Sequence, residues 1–95
     1  MSSDPSAWTT PDIDMDKPSA ARIYDALLGG SFNFATDREM VRRILEVEPD
    51  GEIIARRNRH MVIRAARWMA RQGYDQYLDI GCGLPVTGAV HEVVR

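Results

Sequence analysis

Asp79, Gly81, Cys82 and Gly83 lie in the stretch YLDIGCGLPVTG, residues 77–88, where a carboxylate precedes two glycines that are separated by one residue. Glycines let a backbone approach a ligand closely and tighten the bend that does so. An apolar run leads into them and a helical pattern follows, the order of the first half of a nucleotide-binding βαβ unit. A dinucleotide fingerprint needs a third glycine at position 86, which is Val86, and Pro85 stiffens the bend instead. A phosphate loop is excluded because no Gly-Lys-Ser/Thr follows. Asp79 suits an amino-acid-bearing nucleoside, since a carboxylate can order the turn or accept charge-assisted hydrogen bonds from a ligand ammonium. The alternative is a capped strand end with no ligand.

Other residues offer chemistry at lower specificity. Asn58 lies in the apolar stripe of a helical pattern, where a buried amide must find partners; it either bonds functionally to the GGSFNF loop or a ligand, or is a structural helix-to-loop strut. Asn33 and Phe34 precede a helix start, so Phe34 either stacks over a base or staples the helix hydrophobically. Cys82 sits where a small side chain is needed, with no base nearby to activate it. His91 and Glu92 do not extend to a zinc motif, because position 95 is Arg95. Arg56, Arg57, Arg59, Arg64, Arg67 and Arg71 form a basic side read as a solvated face, and nothing resembles a base-stacking module, so nucleic acid is disfavoured.

The elements that must position these groups are limited by length. The chain has 95 residues, 44% hydrophobic and 27% charged, with net charge −2, which fits one small folded domain and gives no general case for a polyanionic partner. Its one cysteine excludes an internal disulfide. No apolar run approaches the roughly 20 residues that span a bilayer, and no signal core is present, so a cytoplasmic protein without membrane attachment is expected.

Residues 1–17 are acidic and aperiodic and read as a disordered tail. Ser19 caps a first helix carrying Ile23, Leu27 and Leu28, closed by Gly29 and Gly30. Thr36 and Glu39 form a capping-box pattern before Met40, Val41, Ile44 and Leu45, and Pro49, Asp50 and Gly51 close that helix. A third helix over about residues 52–72 presents Ile54, Asn58, Met61, Val62, Ala65, Trp68 and Met69 on one side and stops at Gly73. Tyr77, Leu78 and Ile80 suit a short buried strand, and a further helix opens at Thr87 or Gly88 with Ala89, Val90, Val93 and Val94.

Three stretches, PSAARIYDALLGGSFNFATDRE, ARRNRHMVIRAARWMARQG and QYLDIGCGLPVTGAVHEV, together resemble an actinobacterial S-adenosylmethionine-dependent methyltransferase family, long catalogued as a domain of unknown function. The resemblance runs over residues 18–95 and implies an α/β fold, the N-terminal part of a Rossmann-like class I methyltransferase with a helical extension over the cofactor site. It implies S-adenosyl-L-methionine as cofactor, bound by Asp79, Gly81, Cys82 and Gly83 of the loop and by Tyr24, Gly30, Asn33, Phe34 and Asn58 of the extension. Arg22 and Asp25 also match signature positions. Ser31 stands where the family pattern has lysine, and Ala89 where it often has asparagine.

The resulting division is a helical extension over 18–73, then a first strand, glycine loop and helix start over 74–95. A class I methyltransferase needs later strands and an acid that binds the ribose hydroxyls. A lone strand leaves buried backbone groups unpaired at about 1–3 kcal/mol each. The expectation is therefore an N-terminal piece or truncated product, inactive alone, that self-associates through the strand edge. Asp25 and His91 are candidate bases on polarity alone, and the methyl acceptor is unknown. A small helical interaction module without catalytic activity is the alternative.

Overall fold

The computed structural model describes residues 9–84 and 89–94. It contains α1 (Ala20–Leu27), α2 (Ala35–Val47), α3 (Gly51–Arg71) and a short α4 (Val90–Val93). The first three helices pack against one another, and α4 packs on α3.

Local chemistry sets most of the boundaries. The Ser19 side chain accepts from the Arg22 N–H at 3.5 Å at the start of α1. Gly29, at φ 79°, ends that helix in the left-handed region that glycine adopts without strain. Pro49 disfavours helical geometry at the residue before it, and Glu48 is accordingly extended at φ −129°, ψ 87°. Gly73, at φ 92°, stops α3 as its position predicts.

The start of α2 differs from expectation. Its N-cap is Phe34, while Thr36 and Glu39 fall inside the helix. The acid that caps it is Asp37, whose Oδ2 accepts from the Phe34 N–H at 2.8 Å. Its other oxygen accepts from the Ser19 N–H at the start of α1, at 3.0 Å. One carboxylate thus serves the exposed-donor ends of two helices, where the helix dipoles also favour negative charge. The Arg22 Nε donates to the same carboxylate at 2.8 Å, and its guanidinium lies over the Phe34 ring, 4.6 Å from the centroid. Asp37 is fully buried. Glu39, released from capping, instead pairs with Arg42, which also bonds Glu46. The Arg42 guanidinium holds the Glu39 carboxyl below its ordinary value, and the two acids push Arg42 up.

Arg22 also anchors the acidic segment, donating through Nη2 to the Lys17 carbonyl at 2.6 Å. Thr36 reaches the Asp16 carbonyl at 3.4 Å. The described part of the stretch expected as a tail, residues 9–17, is therefore aperiodic but tied to α1 and α2; residues 1–8 lie outside the described residues.

The packed face of α3 is rotated from the expected stripe. Ala55 and Ala66 are buried, and Arg59, Val62, Ile63, Met69 and Ala70 are half-buried. Ile54, Asn58, Met61, Ala65 and Trp68 are exposed, Trp68 by 58%. Both flanks of the helix are apolar, and the buried one is the side that carries the small alanines. Val62 and Met69 belong to the packed face as expected.

The α/β expectation is corrected at one point: the described residues hold helices and no strand. Residues 74–79 run without regular structure, with Leu78 87% and Ile80 86% exposed instead of buried. A strand exists only through hydrogen bonds to a neighbour, and no second segment lies beside this one among the described residues. Helix α4 begins at Val90 with Ala89 as its buried cap. The expected start at Thr87 or Gly88 lies outside the described residues.

The core is small, formed by Phe34, Val41, Ala55, Ala66 and Ala89, so the Asp37 junction carries much of the order. Replacing Asp37 with Ala leaves the mostly buried Arg22 and two helix-end N–H groups without their acceptor. The expected loss is about 3–5 kcal/mol, read as a fall in the urea midpoint. A variant within about 0.5 kcal/mol of the parent chain contradicts this account.

Candidate functional site

A pocket of about 420 Å³ opens where α1, α3, the glycine loop and α4 meet. Helix α1 contributes Ala21 and Tyr24, α3 contributes Asn58, Arg59 and Val62, the loop contributes Asp79 and the run from Gly81 to Leu84, and α4 contributes Val90. The volume falls in the range of small-molecule sites. Ala21 and Tyr24 are spaced by three along α1, and Asn58 and Val62 by four along α3, so each pair lies on one helical face.

The loop gets its shape from its glycines. Gly81 and Gly83 adopt φ 67° and 69°, a region that costs other residues on the order of 1–2 kcal/mol. A Cβ at either would meet no atom within 4 Å, so backbone conformation and not crowding requires glycine here. Cys82, exposed between them, has a free thiol. Tyr24 and Asn58 join across the helices: the Asn58 Nδ2 donates to the Tyr24 hydroxyl at 3.2 Å. Asn58 thus ties α3 to helix α1 through Tyr24, and not to the GGSFNF loop.

The pocket therefore gathers six of the nine expected site residues: Tyr24, Asn58, Asp79, Gly81, Cys82 and Gly83. Gly30, Asn33 and Phe34 do not line it. Asn33 is buried with both amide hydrogens engaged, by Asp25 Oδ2 and by the Gly30 carbonyl, each at 2.9 Å, while its Oδ1 accepts from Arg38 at 2.9 Å. An amide has two hydrogens to give, and neither is left for a ligand. Phe34 is buried beneath the Arg22 guanidinium and is itself the N-cap of α2. Asp25 is buried too, accepting from the Phe32 N–H at 2.8 Å as well as from Asn33. It shapes this loop and is not among the described residues that line the pocket. His91 is exposed, 3.9 Å from Glu92, and also lies outside the lining. Gly30 is a glycine for a steric reason, because a Cβ there would stand 2.1 Å from Asp25 Oδ1.

Arg59 is the residue the sequence assigned elsewhere. It was read as part of a solvated basic face, yet it is half-buried and lines the pocket, whereas Arg56, Arg57, Arg64, Arg67 and Arg71 are exposed. Its position one after Asn58 and three before Val62 was the available signal. Among the described lining residues, Asp79 carries a carboxylate and Arg59 a guanidinium. No group of three His, Cys, Asp or Glu among the described residues is placed to hold a metal ion, and no helix among them is long and apolar enough to cross a membrane.

A family model described as S-adenosyl methyltransferase matches residues 6–95. The chain belongs to this family. It is also similar to the crystal structure of a Thermobifida fusca YX protein assigned as a methyltransferase, with TM-score 0.84 and 41% sequence identity over 92% of this chain. The aligned part spans 33% of that protein. No curated protein matches the chain. Membership agrees with the resemblance carried by the three sequence stretches.

Two substitutions separate loop geometry from packing. Gly30→Ala is expected to displace the Asp25 carboxylate from its partners and lower stability by about 1–3 kcal/mol in a urea titration. Gly83→Ala is expected to strain the loop by about 1–2 kcal/mol while leaving the helical urea midpoint unchanged, so amide shifts move at residues 79–84 only. Equal effects of the two variants on the helices contradict the division.

Proposed function

We propose that this pocket binds S-adenosyl-L-methionine and that the chain supplies the helical cover and first glycine loop of a cytoplasmic methyltransferase with a Rossmann-like sheet. The observation that carries the reading is the convergence of Tyr24 and Asn58 from two helices on the same cavity as Asp79, Gly81 and Gly83. Family membership supports the choice of cofactor. The residues fit such a group. Two glycines without side chains leave the loop open to close backbone approach, and Asp79 is an exposed carboxylate beside them.

In this reading Asp79 holds the ammonium of the amino-acid end by a charge-assisted hydrogen bond. Gly81 and Gly83 present the bend to the nucleoside, and Tyr24 with Asn58 closes the side opposite the loop. The cofactor supplies a methyl group on a sulfonium centre, open to attack by a substrate nucleophile. The chain's own part is to fix that centre in place, the kind of positioning that supplies much of the acceleration in a two-reactant step. The methyl acceptor is a small molecule; neither nucleic acid nor a membrane is part of this proposal.

Isothermal titration of S-adenosylhomocysteine into the chain tests the reading. Saturable binding is expected, weakened about tenfold or more by Asp79→Asn, the usual worth of a hydrogen bond to a charged group. Absence of binding, or equal affinity in the variant, overturns it.

A further inference from the structure

We infer that the outward side of α3 docks an acidic amphipathic helix of a partner protein. Arg57, His60, Arg64, Arg67 and Arg71 are all exposed, at steps of three or four residues that keep them on one face, and Arg56 lies beside them. The stripe runs for about 20 Å along the helix. No Asp or Glu occurs between Ile53 and Tyr74. Helix α2 treats its arginines differently: Arg42 pairs with Glu39 and Glu46, and Arg43 with Glu39. Among the described residues, the five exposed arginines of α3 have no acidic partner. Like charges three or four apart on a helix repel, a cost to α3 that an acid supplied from outside relieves.

An apolar row, Ile54, Met61 and Trp68, runs exposed along the edge of this stripe. Its residues are seven apart, and so are Arg57, Arg64 and Arg71. That period belongs to helix pairing, in which apolar residues fill the seam and the charges flanking it choose the partner. A helix with a matching apolar row and carboxylates alongside satisfies both rows at once. A second α3 would set arginine against arginine. A bilayer surface is fluid and rewards no seven-residue period. Nucleic acid would engage the guanidinium groups and leave the apolar row in water, and a chain of net charge −2 does not attract a polyanion at long range. None of these residues lines the cavity, so the inference stands apart from whatever fills it.

Two labelled synthetic peptides of one composition provide the test, one with Leu in a heptad seam and Glu flanking it, the other scrambled. Each is titrated with the chain and read by fluorescence anisotropy, with helicity of every variant checked by circular dichroism. The patterned peptide is expected to bind about tenfold or more tightly than the scrambled one, and to shift the Trp68 emission to the blue. Replacing Arg64→Glu and Arg71→Glu together is expected to weaken it about tenfold or more, and the milder Arg64→Gln with Arg71→Gln to give a smaller loss at unchanged helicity. Arg43→Glu makes the same kind of charge change on α2 and is expected to stay within about twofold of the parent chain. Equal binding of the two peptides, no binding of either, or an equal loss in Arg43→Glu overturns the inference. So does tighter binding to oligothymidylate or to phosphatidylglycerol vesicles than to the patterned peptide, which assigns the stripe to nucleic acid or to a lipid surface. A dimer in sedimentation that Arg64→Glu dissolves assigns it to a second copy and overturns the inference as well.

Discussion

One buried carboxylate holds this structure in register. Asp37 accepts from the N-cap amides of two helices and from Arg22 at once, and it is shielded from water while doing so. A buried charge is costly unless its hydrogen-bonding capacity is filled, so the arrangement is stable only when α1, α2 and Arg22 are all in place. That dependence converts three weak local preferences into one joint geometry. It also ties residues just before α1 to the helices despite little large apolar burial: Arg22, held at one end by Asp37, donates to the Lys17 carbonyl with the other.

The site inherits its geometry from this junction. Fixing α1 fixes the direction of Tyr24, which meets Asn58 and so ties α1 to α3 on the cavity side. Behind that wall a second buried carboxylate, Asp25, gathers the Phe32 amide and the Asn33 side chain, and its closeness to Gly30 admits no Cβ there. The two acids are one helix and one loop apart, and each closes a stretch of backbone whose polar groups have no regular secondary structure to satisfy them. Helix α1 therefore serves two ends at once: Arg22 and Asp25 hold the junction and its loop, while Ala21 and Tyr24 line the cavity.

Much of this was legible in the sequence, where the signal was local. Ser19, the glycines after Leu28, Pro49 and Gly73 act through their own backbone, and the helices start and stop near them. Signals that depend on a distant partner were not legible. Thr36 and Glu39 have the spacing of a capping box, but Asp37, between them, has a second helix end and an arginine within reach, and three partners outweigh one. Periodicity found an apolar side of α3 but could not choose between adjacent sides, since Ile54, Met61 and Trp68 are as regular as Ala55, Val62 and Ala66. The choice fell to the small residues, which permit close approach, and it carried Arg59 from the surface into the cavity. The strand expected at Tyr77 to Ile80 is a pairwise structure, and pairing is not a property of one segment.

Resemblance to a family marks positions without saying what they do. Arg22, Tyr24, Asp25, Gly30, Asn33, Phe34 and Asn58 all matched signature positions, and they divide into two physical groups. Arg22, Asp25 and Asn33 engage their charges and amide hydrogens inside the protein, Gly30 makes room for one of those bonds, and Phe34 is covered. Tyr24 and Asn58 meet at the cavity wall, and among the described residues the Asn58 side chain, able to make several hydrogen bonds, makes one. Hydrogen-bond capacity left at a cavity surface is what a ligand can use, whereas capacity already filled in the interior serves the fold. By that criterion the five interior residues serve the position of α1 and its loop, and Tyr24 and Asn58 are the ones left at the cavity.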